Sequence, residues 1–172
     1  MTVTFALLVL FAFLLRAALG GVKTLPCPAK LAATVRSTGF LPVDYFVPVN
    51  ATCNDSAVRL AISARQQCGG VIYFASPCKF STTVTVPENT VFQGGATGAS
   101  SFQAGAQTLI TGPQTGPVFL VESVERVRFT NLGIIGWHTG VIITDAADVR
   151  FTDCAVHAQV IYILLSCLSL HK

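Results

Sequence analysis

Charge is scarce in this sequence. Asp, Glu, Lys and Arg make up 11% of its 172 residues, where a soluble domain usually carries roughly a quarter. The Lys and Arg residues are scattered, so the net charge of +3 forms no basic stripe, and there is no acidic tail. That excludes the electrostatic footprint of a nucleic-acid binder. No CxxC pair occurs, which removes the spacing of a zinc site, and no metal site is expected. A Ser-His-Asp order, a P-loop and a dinucleotide fingerprint are also missing, and no cofactor is evident. Neither apolar run, Phe5–Leu15 or Val160–Leu170, exceeds eleven residues; a spanning helix needs roughly 20.

What is present points outward from the cytoplasm. Phe5–Leu15 is followed by Arg16 and then by Ala18-Leu19-Gly20, small residues at the spacing a signal peptidase reads. Residues 1–20 are therefore expected to be a cleaved secretory signal. Asn50-Ala51-Thr52 and Asn54-Asp55-Ser56 are glycosylation sequons, making Asn50 and Asn54 candidate acceptors. Six cysteines at irregular spacing read as disulfide formers in an oxidising compartment. Cys53, Cys68 and Cys78 bracket a short helix and the strand after it, and a bridge within that trio is expected. Cys154 and Cys167 read equally well as buried small apolar residues.

Along the chain, residues 21–54 are punctuated by Pro26, Pro28, Pro42 and Pro48 and read as an extended N-terminal arm. Asp55 is the expected N-cap of an amphipathic helix through Val58, Ala61, Ile62 and Arg65, stopped by Cys68-Gly69-Gly70. Short β-type runs follow at Val71–Phe74, Thr82–Val86 and Thr90–Gln93. A Gly-, Ala- and Ser-rich loop then separates these from runs at 109–110, 118–121, 127–129, 132–135 and 141–143.

Repetition indicates the architecture. Val127-Arg128-Phe129-Thr130-Asn131-Leu132-Gly133-Ile134 recurs, at an offset of 22, as Val149-Arg150-Phe151-Thr152-Asp153-Cys154-Ala155-Val156. Phe119–Val121 and Val141–Ile143 keep the same offset. A constant offset carrying several strands predicts a β-solenoid, because one coil cannot bury its apolar face without a neighbour. Val127 is then expected over Val149, Phe129 over Phe151, Leu132 over Cys154 and Asn131 over Asp153. An antiparallel sandwich would also turn often, but its hairpins do not predict matched residues at one offset.

The helix beginning near Asp55, then Gly69-Gly70, Val71-Ile72-Tyr73-Phe74, a hydroxyl-rich strand and Thr90-Val91-Phe92-Gln93-Gly94-Gly95 resembles the N-terminal opening of the pectate lyase superfamily. The resemblance extends through the coils to His157. It implies an all-β, right-handed parallel β-helix with an N-terminal capping α-helix. It also implies a carbohydrate-active protein of polysaccharide lyase or glycosidase type, whose partner is acidic cell-wall polysaccharide, with calcium as a cofactor by resemblance alone. The family commonly has Tyr-Phe-Pro-x-Gly-x-Tyr where this chain has Tyr73-Phe74-Ala75-Ser76-Pro77-Cys78-Lys79-Phe80, so the turn there differs.

The Asn-Thr-Asp, Asp-Asp and Gly-His-Gly motifs common in the hydrolases of that family do not occur, and Gly136-Trp137-His138-Thr139-Gly140 only echoes the last. The candidate catalytic residues are Asp145, Asp148 and Asp153, near His138 and His157. Paired carboxylates serve as acid and base in glycoside hydrolysis or hold calcium together. The competing reading places Asp145 and Asp148 in a turn between strands, where Asp bonds locally. Trp137, the single tryptophan, is the candidate for stacking on a sugar ring. Residues 55–157 thus form the expected N-terminal coils, truncated after a few turns, and 158–172 an apolar tail. The alternatives are a non-catalytic glycan-binding or structural β-helix, or a truncated gene product without activity. A membrane is expected to be met only through the signal peptide or the short tail.

Overall fold

The structure is a computed structural model; it describes residues 26–95 and 108–158, and the backbone of 163–164. The expected signal peptide, most of the tail from 158 to 172, and Cys167 lie outside the described residues.

The N-terminal segment differs from the extended arm expected for residues 21–54. Ala29–Thr38 forms an α-helix, α1, which starts after Pro28 and ends at Gly39 in the left-handed region at φ 75°. Pro26 and Pro28 precede the helix, where a missing N–H costs nothing, and Pro42 and Pro48 follow it, so none breaks it. The chain then runs through β1 (Phe40–Pro42), a 3-10 turn at Val43–Phe46 and β2 (Cys53–Asn54). Leu31, Leu41 and Val43 are wholly buried, so this segment belongs to the core.

The second helix, α2 (Asp55–Cys68), is capped by Asn54 rather than by Asp55. The Asn54 carboxamide oxygen accepts from the Ala57 N–H at 3.0 Å, leaving the first-turn Asp55 free for other partners. Gly69, at φ 69°, closes the helix by donating its N–H to the Arg65 carbonyl.

Twelve further strands follow among the described residues: β3 (Val71–Phe74), β4 (Cys78–Lys79), β5 (Val84–Thr85), β6 (Val91–Gly94), β7 (Thr108–Thr111), β8 (Pro117–Glu122), β9 (Glu125–Thr130), β10 (Leu132–Ile135), β11 (Thr139–Thr144), β12 (Ala147–Thr152), β13 (Ala155–His157) and β14 (Ile163–Leu164). They build three parallel sheets. The first has the order β1-β3-β6-β9-β12, the second β2-β4-β7-β10-β13 and the third β5-β8-β11-β14. Successive strands go to successive sheets: β9, β10 and β11 fall one in each of the three sheets, and so do β12, β13 and β14. After β2 comes α2 rather than a third-sheet strand, and it packs against β1, β2, β3 and β5. The protein is therefore mostly β, with all-parallel sheets and few helices.

The register follows the sequence repeat. Val127 pairs with Val149 and Phe129 with Phe151, Ile134 with Val156, and Phe119 with Val141, every pair at the one constant offset. Like residues therefore stack on like across neighbouring strands. Phe92 lies 5.4 Å from Phe129 between ring centroids, and Phe119 lies 5.3 Å from both. Phe74, Phe80, Phe92, Phe119 and Phe129 are all buried in one core. Each such ring contributes about 1.5–3 kcal/mol by leaving water.

Two disulfides tie the N-terminal elements together. Cys53–Cys78, within the expected trio, joins register partners on β2 and β4. Cys68 instead bonds Cys27, outside the trio, fixing the end of α2 to the segment before α1. Cys154 is a free, half-buried thiol, and its burial raises its pKa above the ordinary thiol value. No described helix is long and apolar enough to cross a membrane.

Candidate functional site

Parallel stacking turns scattered residues into rows. On the second sheet, Asn54 pairs with Lys79, Lys79 with Thr111, Thr111 with Ile135 and Ile135 with His157. Five strands at the usual spacing make this row about 19 Å long. The loops leaving these strands continue the ladder. Phe80 donates its N–H to the Thr111 carbonyl at 2.8 Å, Gly112 to Ile135 at 2.7 Å, and Gly136 to His157 at 2.9 Å. The rim of the row is therefore held by backbone bonds from one strand's end to the next.

Trp137 stands on that rim, 59% exposed. Its turn depends on Gly136, where an added Cβ would lie 2.2 Å from the Thr139 carbonyl oxygen. The indole divides two concavities. One, of about 580 Å³, is lined by Asn54, Lys79, Ser81, Gln114 and Thr115 together with Trp137. The other, of about 320 Å³, is lined by Thr111, Ile135, Gly136, His157 and Ala158 with Trp137. Lys79 is exposed and has no ion-pair partner among the described residues. The arrangement offers an aromatic face, one cation, two carboxamides and several hydroxyls along a linear groove. An apolar face with a few placed polar groups is what orients a polar, ring-shaped ligand.

One wall of the groove is locked by Asp55. This buried carboxylate accepts from the Ser81 N–H and the Ser81 hydroxyl, both at 2.9 Å, and from the Thr82 hydroxyl at 2.5 Å. Burial alone would raise its pKa, but the bonds from Thr82 and Ser81 together outweigh burial and leave it below the ordinary carboxylate value. Arg59 reinforces the same loop, donating to the Thr82 hydroxyl at 3.0 Å and to the Thr83 carbonyl.

The three candidate catalytic aspartates lie elsewhere. Asp145, Asp148 and Asp153 all have left-handed backbones, at φ 50°, 51° and 52°. Ser123, Arg126 and Asn131, their counterparts one repeat earlier, have φ of 52°, 58° and 54°. The aspartates thus occupy repeating turn positions that Asp and Asn tolerate well. Asp145 accepts from Ser123 at 3.5 Å, and Asp148 pairs with Arg150 at 2.6 Å. Asp145 and Asp148 flank the start of β12, whereas Asp153 follows its end. His157 lies in the groove row, beside Ile135 rather than His138.

Of the residues singled out in the sequence, the structure brings Trp137, His157 and Asn54 to the groove. Asn50 sits in an exposed turn outside it, with φ 66°. Lys79, Thr111 and Gln114 were not anticipated. The steps of the row from Asn54 to Lys79, Thr111 and Ile135 are unequal, because loops of different length intervene, and only the last step to His157 keeps the repeat offset. No constant spacing in the sequence could therefore have found them. Comparison with protein-family models, with curated proteins and with solved structures returned no match for this chain.

Proposed function

We propose that this chain is the N-terminal part of a secreted, carbohydrate-active right-handed parallel β-helix, and that it holds acidic polysaccharide along the Trp137 groove without itself turning it over. The observation that carries this reading is the exposed Trp137 between two concavities lined by Lys79, Asn54 and Gln114. Sugar rings present an apolar face to an aromatic platform and hydroxyls to carboxamides, and a uronate carboxylate suits a lysine that has no ion-pair partner among the described residues. The resemblance of residues 55–95 to the pectate lyase superfamily and the constant register offset support the architecture. Two disulfides favour an oxidising, extracellular setting. Binding is favoured over catalysis because each candidate aspartate is engaged at a turn.

Retention on immobilised polygalacturonate, against a neutral glucan, tests the proposal. Selective retention is expected, with a loss of about tenfold or more in affinity for Trp137→Ala, as for an exposed aromatic anchor that the ligand covers. No retention on either glycan, or retention indifferent to Trp137→Ala, contradicts it.

A second reading, in which further circuits carry the chemistry, is favoured by the open stack at Phe151, which is 39% exposed although its partner Phe129 is wholly buried. Sequencing spliced transcripts across the codons for residues 158–172 tests it. A frame continuing into coils with clustered aspartates supports it, and a stop in every transcript opposes it.

A further inference from the structure

The two sequons lie close together and look equivalent in the sequence, but the fold separates them. Asn50 lies in a tight turn closed by the Ala51 N–H bonding the Pro48 carbonyl at 3.0 Å. It is exposed, next to Val49, which is 91% exposed, and its side chain has no hydrogen-bond partner among the described residues. Thr52, which supplies the hydroxyl of this sequon, is exposed as well. Acceptor, spacer and hydroxyl therefore all project from one surface loop.

Asn54 is built into the molecule. Its carboxamide caps α2, its backbone pairs with Lys79 in the second sheet, and its side chain lines the larger concavity. The spacer of this sequon is Asp55, 6% exposed and bonded to Ser81 and Thr82. The hydroxyl residue, Ser56, lies in the first turn of α2. The residue before Asn54 is half of the Cys53–Cys78 disulfide. Once α2 and β2 have formed, presenting Asn54 to a transferase requires unwinding the helix start, freeing the Asp55 carboxylate and opening the sheet, although Ser56 itself is exposed. Asn50, by contrast, stays accessible in the folded chain.

We infer that Asn50 is the one acceptor of N-linked glycan in this pair of sequons, and that Asn54 stays bare as a groove and helix-cap residue. The transfer consumes a lipid-linked oligosaccharide pyrophosphate. The Asn50 Nδ2 forms a bond to the anomeric carbon of the first sugar, the bond from that carbon to the pyrophosphate oxygen breaks, and Nδ2 loses one proton. The pyrophosphate lipid is the leaving group. A glycan at Asn50 stands just before β2, the outermost strand of the second sheet among the described residues, and bars that edge from pairing with another chain. The groove beside Asn54 remains open to ligand.

This inference rests on the reading that the chain is secreted. The test expresses the whole chain in a eukaryotic secretion host and treats the secreted protein with peptide N-glycosidase F in heavy-oxygen water, which marks each formerly glycosylated Asn as labelled Asp. Peptide mass spectrometry is expected to find the label at Asn50 and none at Asn54. Thr52→Val, which leaves Asn50 in place, is expected to abolish the glycan-dependent gel shift, and Ser56→Ala, which leaves the Asn54 cap in place, to preserve it. Secreted, disulfide-bonded protein labelled at Asn54, at both sites or at neither overturns the inference while leaving secretion standing. Protein retained in cells, unmodified and with reduced cysteines, overturns both.

Discussion

Phe151 stacks on Phe129 with ring centroids 4.9 Å apart and planes inclined by 7°, yet 39% of Phe151 is exposed and none of Phe129. The two rings have the same Val-Arg-Phe-Thr sequence context and differ in what lies on their far side. Phe129 has Phe92 beneath it at 5.4 Å. Phe151 belongs to β12, the last strand of its sheet among the described residues. Truncating them should therefore have unequal effects. Phe129→Ala is expected to cost about 3–5 kcal/mol, the range for a buried Phe. Phe151→Ala is expected to cost about 1–2 kcal/mol, in keeping with its partial burial. Urea unfolding of the two variants measures the difference, and equal losses would contradict the stacking order.

The register itself can be trapped. Arg128 and Arg150 are register partners on β9 and β12, as Cys53 and Cys78 are on β2 and β4, where the Cα atoms are 4.5 Å apart and joined by a disulfide. In a Cys154→Ala, Cys167→Ala background, Arg128→Cys with Arg150→Cys is expected to oxidise to an internal bridge. Arg128→Cys with Thr152→Cys, two positions out of register, is not, because the Cα separation then exceeds disulfide reach. Non-reducing peptide mapping distinguishes the two pairs.

Asp55 gives the stability a pH signature. Its folded pKa lies below the ordinary carboxylate value, so its stabilisation is fully present above the unfolded pKa of about 3.9 and is lost as pH falls through the lower folded value. Asp55→Ala should cost about 2–4 kcal/mol at neutral pH, from the lost bonds to Ser81 and Thr82. The gap between variant and parent should narrow as pH drops below the carboxylate range. Thermal melts from neutral pH down to about pH 2 provide the check; a gap that does not change with pH would show that Asp55 is not held as the carboxylate.

Gly136→Ala is expected to misplace the indole. The new methyl would lie 2.2 Å from the Thr139 carbonyl oxygen, and backbone has to move to admit it, at about 1–3 kcal/mol. A shifted Trp137 emission maximum together with weakened glycan retention is the expected outcome, and unchanged emission would count against the turn geometry.

Much of the architecture was legible because two signals agree. The Val-Arg-Phe-Thr repeat anticipated the pairing of β9 with β12, and Val71–Phe74 and Leu132–Ile135 matched strands residue for residue. What escaped was short or irregular. Cys78–Lys79 is a strand so short that only its neighbours define it, and α1 was hidden behind prolines that start it. Asp55 looked like a cap, while the residue before it does that work and Asp55 serves the distant Ser81–Thr82 loop. The groove was the least legible feature. Trp137 drew notice as a lone tryptophan, but Lys79 comes beside it only through parallel pairing across loops of unequal length, and Gln114 through the loop after β7.

The most direct measurement uses the fact that Trp137 is the only tryptophan, so the intrinsic fluorescence of the folded chain reports on the groove alone. Oligogalacturonates titrated into the protein are expected to shift the emission to shorter wavelength and saturate, with Lys79→Gln weakening the response to the acidic sugar and leaving the fold intact. A spectrum unchanged at saturating oligogalacturonate and at equal neutral oligosaccharide would contradict glycan binding at this site.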